Sequence, residues 1–170
     1  MEECDNTADL TIRAEKTAQA LVHELKSLSM TAVFAESCTA GLAASLLAGT
    51  SGASAVLWGS FVCYTQGAKV SMLDLDSGEL SAHGLVSGET ASSMAAAALR
   101  KSGADIAASV TGLAGPDGDG SGVPVGTVWI ATAAREGKTT VKEFHFDGSR
   151  NAVRIRAAIA ALESVKNALT

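Results

Sequence analysis

Aromatic side chains are scarce in this chain: Phe, Trp and Tyr make up 4% of 170 residues, although apolar residues reach 47%. Ala and Gly take their place, which favours closely approaching helices and surfaces lined by backbone. Cysteine is sparse too. Cys4, Cys38 and Cys63 are odd in number, widely spaced and free of any C-x-x-C pair. That excludes a disulfide framework and a Cys-rich zinc site and suits a reducing compartment. Basic residues are outnumbered, 13 against 18 acidic ones, for a formal charge of -5. No positive field exists to draw a nucleic acid. No apolar run approaches membrane-spanning length, and the start, MEECDNTADL, is acidic and polar where a secretion signal is basic and then apolar. A soluble, cytoplasmic protein is expected, with no membrane and no nucleic-acid partner.

The length suits one domain with a sizeable core. Residues 1–170 are expected to form it, with 1–7 flexible. Leu10, Ala14, Ala18, Leu21, Val22, Leu25 and Leu28 keep a helical period, which predicts an amphipathic helix over 8–28. The β-branched and aromatic run at 30–36 predicts a strand, followed by a helix over 38–48 that Gly49 ends. The apolar stretch at 55–64 reads as a buried strand with a bulge or close approach at Gly59, and a helical patch follows near 67–73. Ser87 caps the next helix, whose Glu89, Arg100 and Lys101 complement its dipole and whose Gly103 stops it. A strand at 105–112 opens into a Gly-rich loop. "TVWIATAA" and "TTVKEFHF" then form an antiparallel pair joined at Glu136 and Gly137, and a last helix covers 150–169. This order predicts an α/β fold: a single-domain layered α/β/α with a mixed β-sheet.

Three phosphate or metal motifs fail in the Gly-rich loop. A Walker A loop needs a Lys that is absent between Lys101 and Lys138; a calcium loop from Asp117 would place Val128 where a Glu is required; and Gly118, Gly120 and Gly122 alternate into a strand instead of opening a helix. Two readings stay open: a loop whose amides approach a ligand, or a flexible hairpin. His23, His83 and His145, read as lying in a helix, a turn and a strand, share no metal-ligand spacing and read as structural.

In "AESCTAGL" Ser37, Cys38 and Thr39 stand where a strand gives way to a helix. Ser37 is either an N-cap or a nucleophile. No S-x-x-K spacing exists, because Ala40 occupies the Lys position, so any pairing of Ser37 with Lys69 must be tertiary. Arg150 at a helix start is opposed by the macrodipole. With Arg154 one turn on, it either holds a phosphate or forms a solvated pair.

Six ordered stretches, "AESCTAG", "GSFVCYTQGAK", "AHGLVS", "SVTGLAGPDG", "PVGTVWIA" and "SRNAVR", resemble the C-terminal domain of the CinA family of competence/damage-inducible proteins. That family includes nicotinamide mononucleotide deamidase, and the likeness runs from about residue 8 to the end. The resemblance implies hydrolysis of the carboxamide of nicotinamide mononucleotide to nicotinic acid mononucleotide and ammonia, with no metal and no other cofactor. It makes Ser37 the nucleophile, Lys69 its base, acting directly or through Tyr64, and the amides of Cys38 and Thr39, at a helix start, the holders of the oxyanion. Arg150 is then the ligand of the substrate phosphate, and Thr111 with the loop from Gly112 faces the ribose or pyridine. A Cys38 nucleophile with a lowered pKa is the competing assignment. Ala40, Gln66 and Val123 depart from the family's usual Gly, Asn and Lys. The length resembles the stand-alone form of the domain, and Ala-rich helix faces suggest a homo-oligomer, a dimer favoured. Two alternatives stay open: a catalytically silent ligand-sensing or partner-binding module, which has no need of Ser37, Tyr64, Lys69, Thr111 and Arg150 together, and a different carboxamide or acyl hydrolase, which uses the same residues on another substrate.

Overall fold

The computed structural model of the chain describes residues 7–169. Cys4 lies outside them, as does the expected flexible start, except that the first helix already begins at Thr7. The elements follow as α1 (Thr7–Ser27), β1 (Ala32–Glu36), α2 (Leu42–Ala48), β2 (Leu57–Val62), α3 (Gln66–Leu73), α4 (Ser77–His83), α5 (Gly88–Ser102), β3 (Ile106–Gly112), β4 (Thr127–Ala134), β5 (Thr140–His145) and α6 (Arg150–Asn167). One five-stranded sheet has the order β2-β1-β3-β4-β5; β1 is parallel to β2 and β3, and the last two pairs are antiparallel. The sheet is mixed, as expected.

β1 is buried along its whole length, because both of its faces are covered. Its side chains alternate between two cores. Phe34 joins Leu21, Leu25, Ile106, Val110 and Leu162 beneath α1, α2 and α6. Val33 and Ala35 face Met94 and Ala98 of α5. The three-layer arrangement follows from this alternation. The Ala-rich faces of α5 and α6 are spent here, turned inward onto the sheet. Small side chains let these helices approach the sheet closely.

Two expectations change. The strand at 55–64 does carry its irregularity, since Ala32 pairs with Leu57 but Val33 pairs with Gly59. It is however an edge strand, with Trp58 and Val62 exposed. Its apolar run reflects packing on one face only. His83, read as a turn residue, ends α4, whose start Asp76 caps by accepting from Glu79 N at 2.8 Å. Ser87 and Gly103 bound α5 as the sequence indicates.

Candidate active site

The chain leaves β1 toward β2 on one side and returns through α5 to β3 on the other. The carboxyl ends of β1 and β3 therefore flank a topological switch point, where open α/β sheets form their ligand crevices. Ser37 is the first residue beyond β1 there, its amide extending the ladder to Val110 O at 2.9 Å.

Ser37 does not cap a helix. The helix expected over 38–48 begins only at Leu42, because Ala40 and Gly41 take positive φ values of 52° and 92° and turn the chain before it can coil. Gly41, the N-cap, makes no side-chain bond. The capping oxygen comes instead from Glu36, fully buried, which accepts from Ala43 N and Ala44 N and from Ser60 Oγ, each at 3.0 Å. Sequence reading missed this residue; its signal was an acidic side chain just ahead of an apolar-periodic segment. With Glu36 as the cap, the Ser37 hydroxyl is free for other work. The amides of Cys38 and Thr39 thus belong to a turn, not to a helix start, and among the described residues no backbone carbonyl accepts from either of them. Thr39 Oγ1 is also the single buried side-chain polar atom without a partner among the described residues.

Lys69 is 1% exposed and places Nζ 2.9 Å from Ser37 Oγ and 3.0 Å from Cys63 O. No carboxylate within ion-pair distance accompanies it among the described residues. Burial pushes its pKa below the ordinary 10.5, against smaller opposing effects of the neighbouring thiols of Cys63 and Cys38. A neutral amine has a lone pair to offer. Ser37 meanwhile donates weakly, at 3.3 Å, to Tyr64 O. Turning that proton onto Nζ needs only a rotation of the hydroxyl. The pairing is tertiary: Thr65 caps α3 by accepting from Ala68 N, and Lys69 sits one turn into the helix, under the strand ends.

Cys38 is 5% exposed and packs in the core beneath α2 and α6. Burial raises its thiol pKa to about 11. The low-pKa thiol of the competing assignment does not exist here, because the helix start that would lower it lies four residues further on.

The Tyr64 ring is half exposed, and its hydroxyl accepts from Arg150 Nη2 at 2.8 Å. The base reaches Ser37 without it. Arg150, exposed at the start of α6, also donates to Gly115 O and so ties the Gly-rich loop to Tyr64. Arg154 is committed elsewhere: Nε donates to Cys38 O at 3.1 Å and Nη2 to Thr39 O at 3.0 Å. Of the two readings left open for Arg150 and Arg154, a phosphate pair or a solvated pair, neither describes the two side chains: Arg150 bonds Gly115 O and Tyr64, and Arg154 grips the nucleophile turn. Thr111 is buried, and its hydroxyl donates to Leu85 O at 2.6 Å, holding the loop before α5. Gly112 answers to packing: a Cβ there would meet Thr127 O at 2.7 Å. Gln66 bonds Ser77 and Ser81 and braces α3 against α4.

A cleft of about 850 Å³ opens elsewhere, between α4 and α5, lined by Asp76, Glu79, His83, Glu89, Arg100 and Trp129 among others. None of the candidate site residues lines it, and the chemistry at Ser37 carries more weight than the size of that cleft. Among the described residues no group of three His, Cys, Asp or Glu could hold a metal ion. No described helix is long and apolar enough to cross a membrane.

Known proteins share this arrangement of chain. Residues 14–169 match the family described as "CinA C-terminal domain". The chain is 39% identical over 140 residues to the nicotinamide-nucleotide amidohydrolase PncC of Enterobacter agglomerans, covering 82% of this chain and 85% of that protein. It is 40% identical over 155 residues to a CinA-like protein of Kosmotoga olearia, but spans only 37% of that longer protein. The crystal structure of the competence/damage inducible protein CihA from Agrobacterium tumefaciens superposes with a TM-score of 0.87 at 39% identity, covering 92% of this chain and 95% of that one. A competence damage-inducible protein from Klebsiella pneumoniae gives 0.88 at 31% identity, covering 92% of this chain and 96% of that one. With the match running through every element from α1 to α6, the chain belongs to the CinA C-terminal domain family.

Proposed function

We propose that the chain is an amidohydrolase that converts nicotinamide mononucleotide to nicotinic acid mononucleotide and ammonia. The observation that carries this reading is the buried Lys69 amine, 2.9 Å from Ser37 Oγ and with no carboxylate at ion-pair distance among the described residues. Burial that lowers the pKa of a lysine held against a hydroxyl is the arrangement a general base uses. The name of the Enterobacter relative supports the substrate.

Lys69 takes the Ser37 proton as Oγ attacks the carboxamide carbon. The oxyanion is held by the amides of the 38–39 turn. Collapse breaks the C–N bond, Lys69 returns its proton to the departing ammonia, and the Ser37 ester remains. Water, deprotonated by the same amine, then releases the pyridine carboxylate. Arg150 receives the 5′-phosphate, and Tyr64, whose hydroxyl it touches, closes that end of the site. The Gly-rich loop beyond Gly112 faces the ribose or pyridine, supported from β3 by Thr111, whose hydroxyl is bonded to Leu85 O, and by the close packing at Gly112. A cytoplasmic homo-oligomer, dimer favoured, is part of the proposal; sedimentation velocity tests the assembly.

The test is ammonia release from nicotinamide mononucleotide, measured beside nicotinamide, NAD and glutamine. Release from the mononucleotide alone is expected. Release from the others at equal rate would make the protein a general carboxamide hydrolase, and release from none would favour a silent ligand-sensing module.

A further inference from the structure

We infer that Arg154 is a positioning residue for the oxyanion site, acting through the backbone of the nucleophile turn. The inference rests on the hydrolase reading above. Arg154 stands on the second turn of α6, partly buried, and spreads its guanidinium over two successive carbonyls, Cys38 O at 3.1 Å and Thr39 O at 3.0 Å. Its remaining contact is a long one to Asn151 Oδ1 on its own helix. No carboxylate is paired with it among the described residues.

A trans peptide unit points its C=O and N–H in opposite directions. The carbonyl of Cys38 and the amide of Thr39 share one such unit, so a guanidinium that draws the carbonyl to one side turns the Thr39 N–H to the other. That N–H is one of the two in the turn that no described backbone carbonyl accepts, whereas the next amide, Ala40 N, is spent on Ser37 O at 3.0 Å. Arg154 thus fixes the Thr39 N–H, one of the two donors that remain. It also polarises that donor, because a charge-assisted bond to a carbonyl strengthens the bond its own amide can make. The contact is specific to main chain: Thr39 Oγ1, in the same residue, stays without a partner. The need for such a grip is local. Ala40 and Gly41 both hold positive φ, and the turn's own hydrogen bonds, Ala40 N to Ser37 O and Leu42 N to Thr39 O at 3.2 Å, leave the Cys38 carbonyl and with it the Thr39 N–H for Arg154 to orient.

The test uses Arg154→Met and Arg154→Lys with two readouts. One is steady-state deamidation of nicotinamide mononucleotide and of its riboside. The other is the rate at which a fluorophosphonate probe labels Ser37, in which Oγ bonds phosphorus, fluoride leaves and Lys69 takes the proton. Loss of one oriented oxyanion donor lowers kcat by about a hundredfold. Arg154→Met is expected to show that loss with KM within about threefold, and to slow probe labelling in parallel. Arg154→Lys keeps the charge but cannot span both carbonyls, and is expected to fall between; it carries the test if Arg154→Met does not fold. Unchanged kcat and labelling overturn the inference. A rise in KM confined to the phosphorylated substrate also overturns it, making Arg154 a phosphate ligand. A wild type inert to both substrates and probe overturns the hydrolase reading and this inference with it.

Discussion

Lys69 Nζ lies 2.9 Å from Ser37 Oγ although the two are 32 positions apart, and the amine that makes this contact is buried with no carboxylate at ion-pair distance among the described residues. The pair joins a nucleophile to a base in one hydrogen bond, and most expected outcomes follow from it.

Ser37→Ala removes the attacking atom and is expected to lower kcat by roughly 10⁴-fold or more. Cys38→Ser should keep most of the turnover, since a core thiol with a pKa near 11 carries no thiolate at neutral pH. The reverse pattern in the kinetics of the two variants would transfer the nucleophile to Cys38.

Lys69→Arg keeps a positive charge that cannot be given up, so turnover should be lost. In the wild type kcat should rise with pH as Lys69 gives up its proton, at a value below the ordinary 10.5. Stability follows with a defined sign. Between the folded pKa and that of an unfolded lysine the unfolded chain holds more protons, so stability rises with pH through this window and levels above it. Lys69→Met is therefore expected to be more stable than wild type near neutrality, by a margin that shrinks toward about pH 10. Urea melts at the two pH values check it; a margin that grew with pH would mean that the folded amine is not destabilised as a cation.

Arg150→Ala is expected to lower kcat/KM on nicotinamide mononucleotide by roughly ten- to a hundredfold. On nicotinamide riboside, which lacks the phosphate, the same variant should lose little. An equal loss on both substrates would show that Arg150 works by holding Gly115 and Tyr64 in place.

Ala40 occupies a left-handed conformation at φ 52°, where its Cβ is crowded by backbone. Ala40→Gly should relieve that strain and raise stability by on the order of 1 kcal/mol, partly offset by the greater freedom of glycine in the unfolded chain. Thermal melts decide it, and a lower melting temperature would show that the methyl group contributes packing.

Particular residues show how far the sequence reached. Ser87 and Gly103 bracket α5 as read, because a cap and a left-handed stop act within a few residues of themselves. The amphipathic period predicted α1 almost to the residue. The start of α2 was misplaced, since the positive φ of Ala40 breaks the rule that such a residue is glycine, and its cap, Glu36, reaches back across the turn from seven residues upstream. The edge position of β2 was illegible as well: an apolar run looks the same whether one face or two are covered.

What the sequence determined by itself was the set of elements apart from α4, the mixed α/β class and the list of candidate groups, all of which rest on periodicity, caps and residue chemistry along a short span. Only the tertiary structure decided which of those groups meet. Parallel pairing of β1 with β2 sets Glu36 beside Val62, which brings the two strand ends together and lets Lys69 reach back to Ser37. The same packing strips the amine of water and so depresses its pKa. Desolvation is a property of everything around a group, and Ser37, which Lys69 meets, stands 32 positions away in the chain.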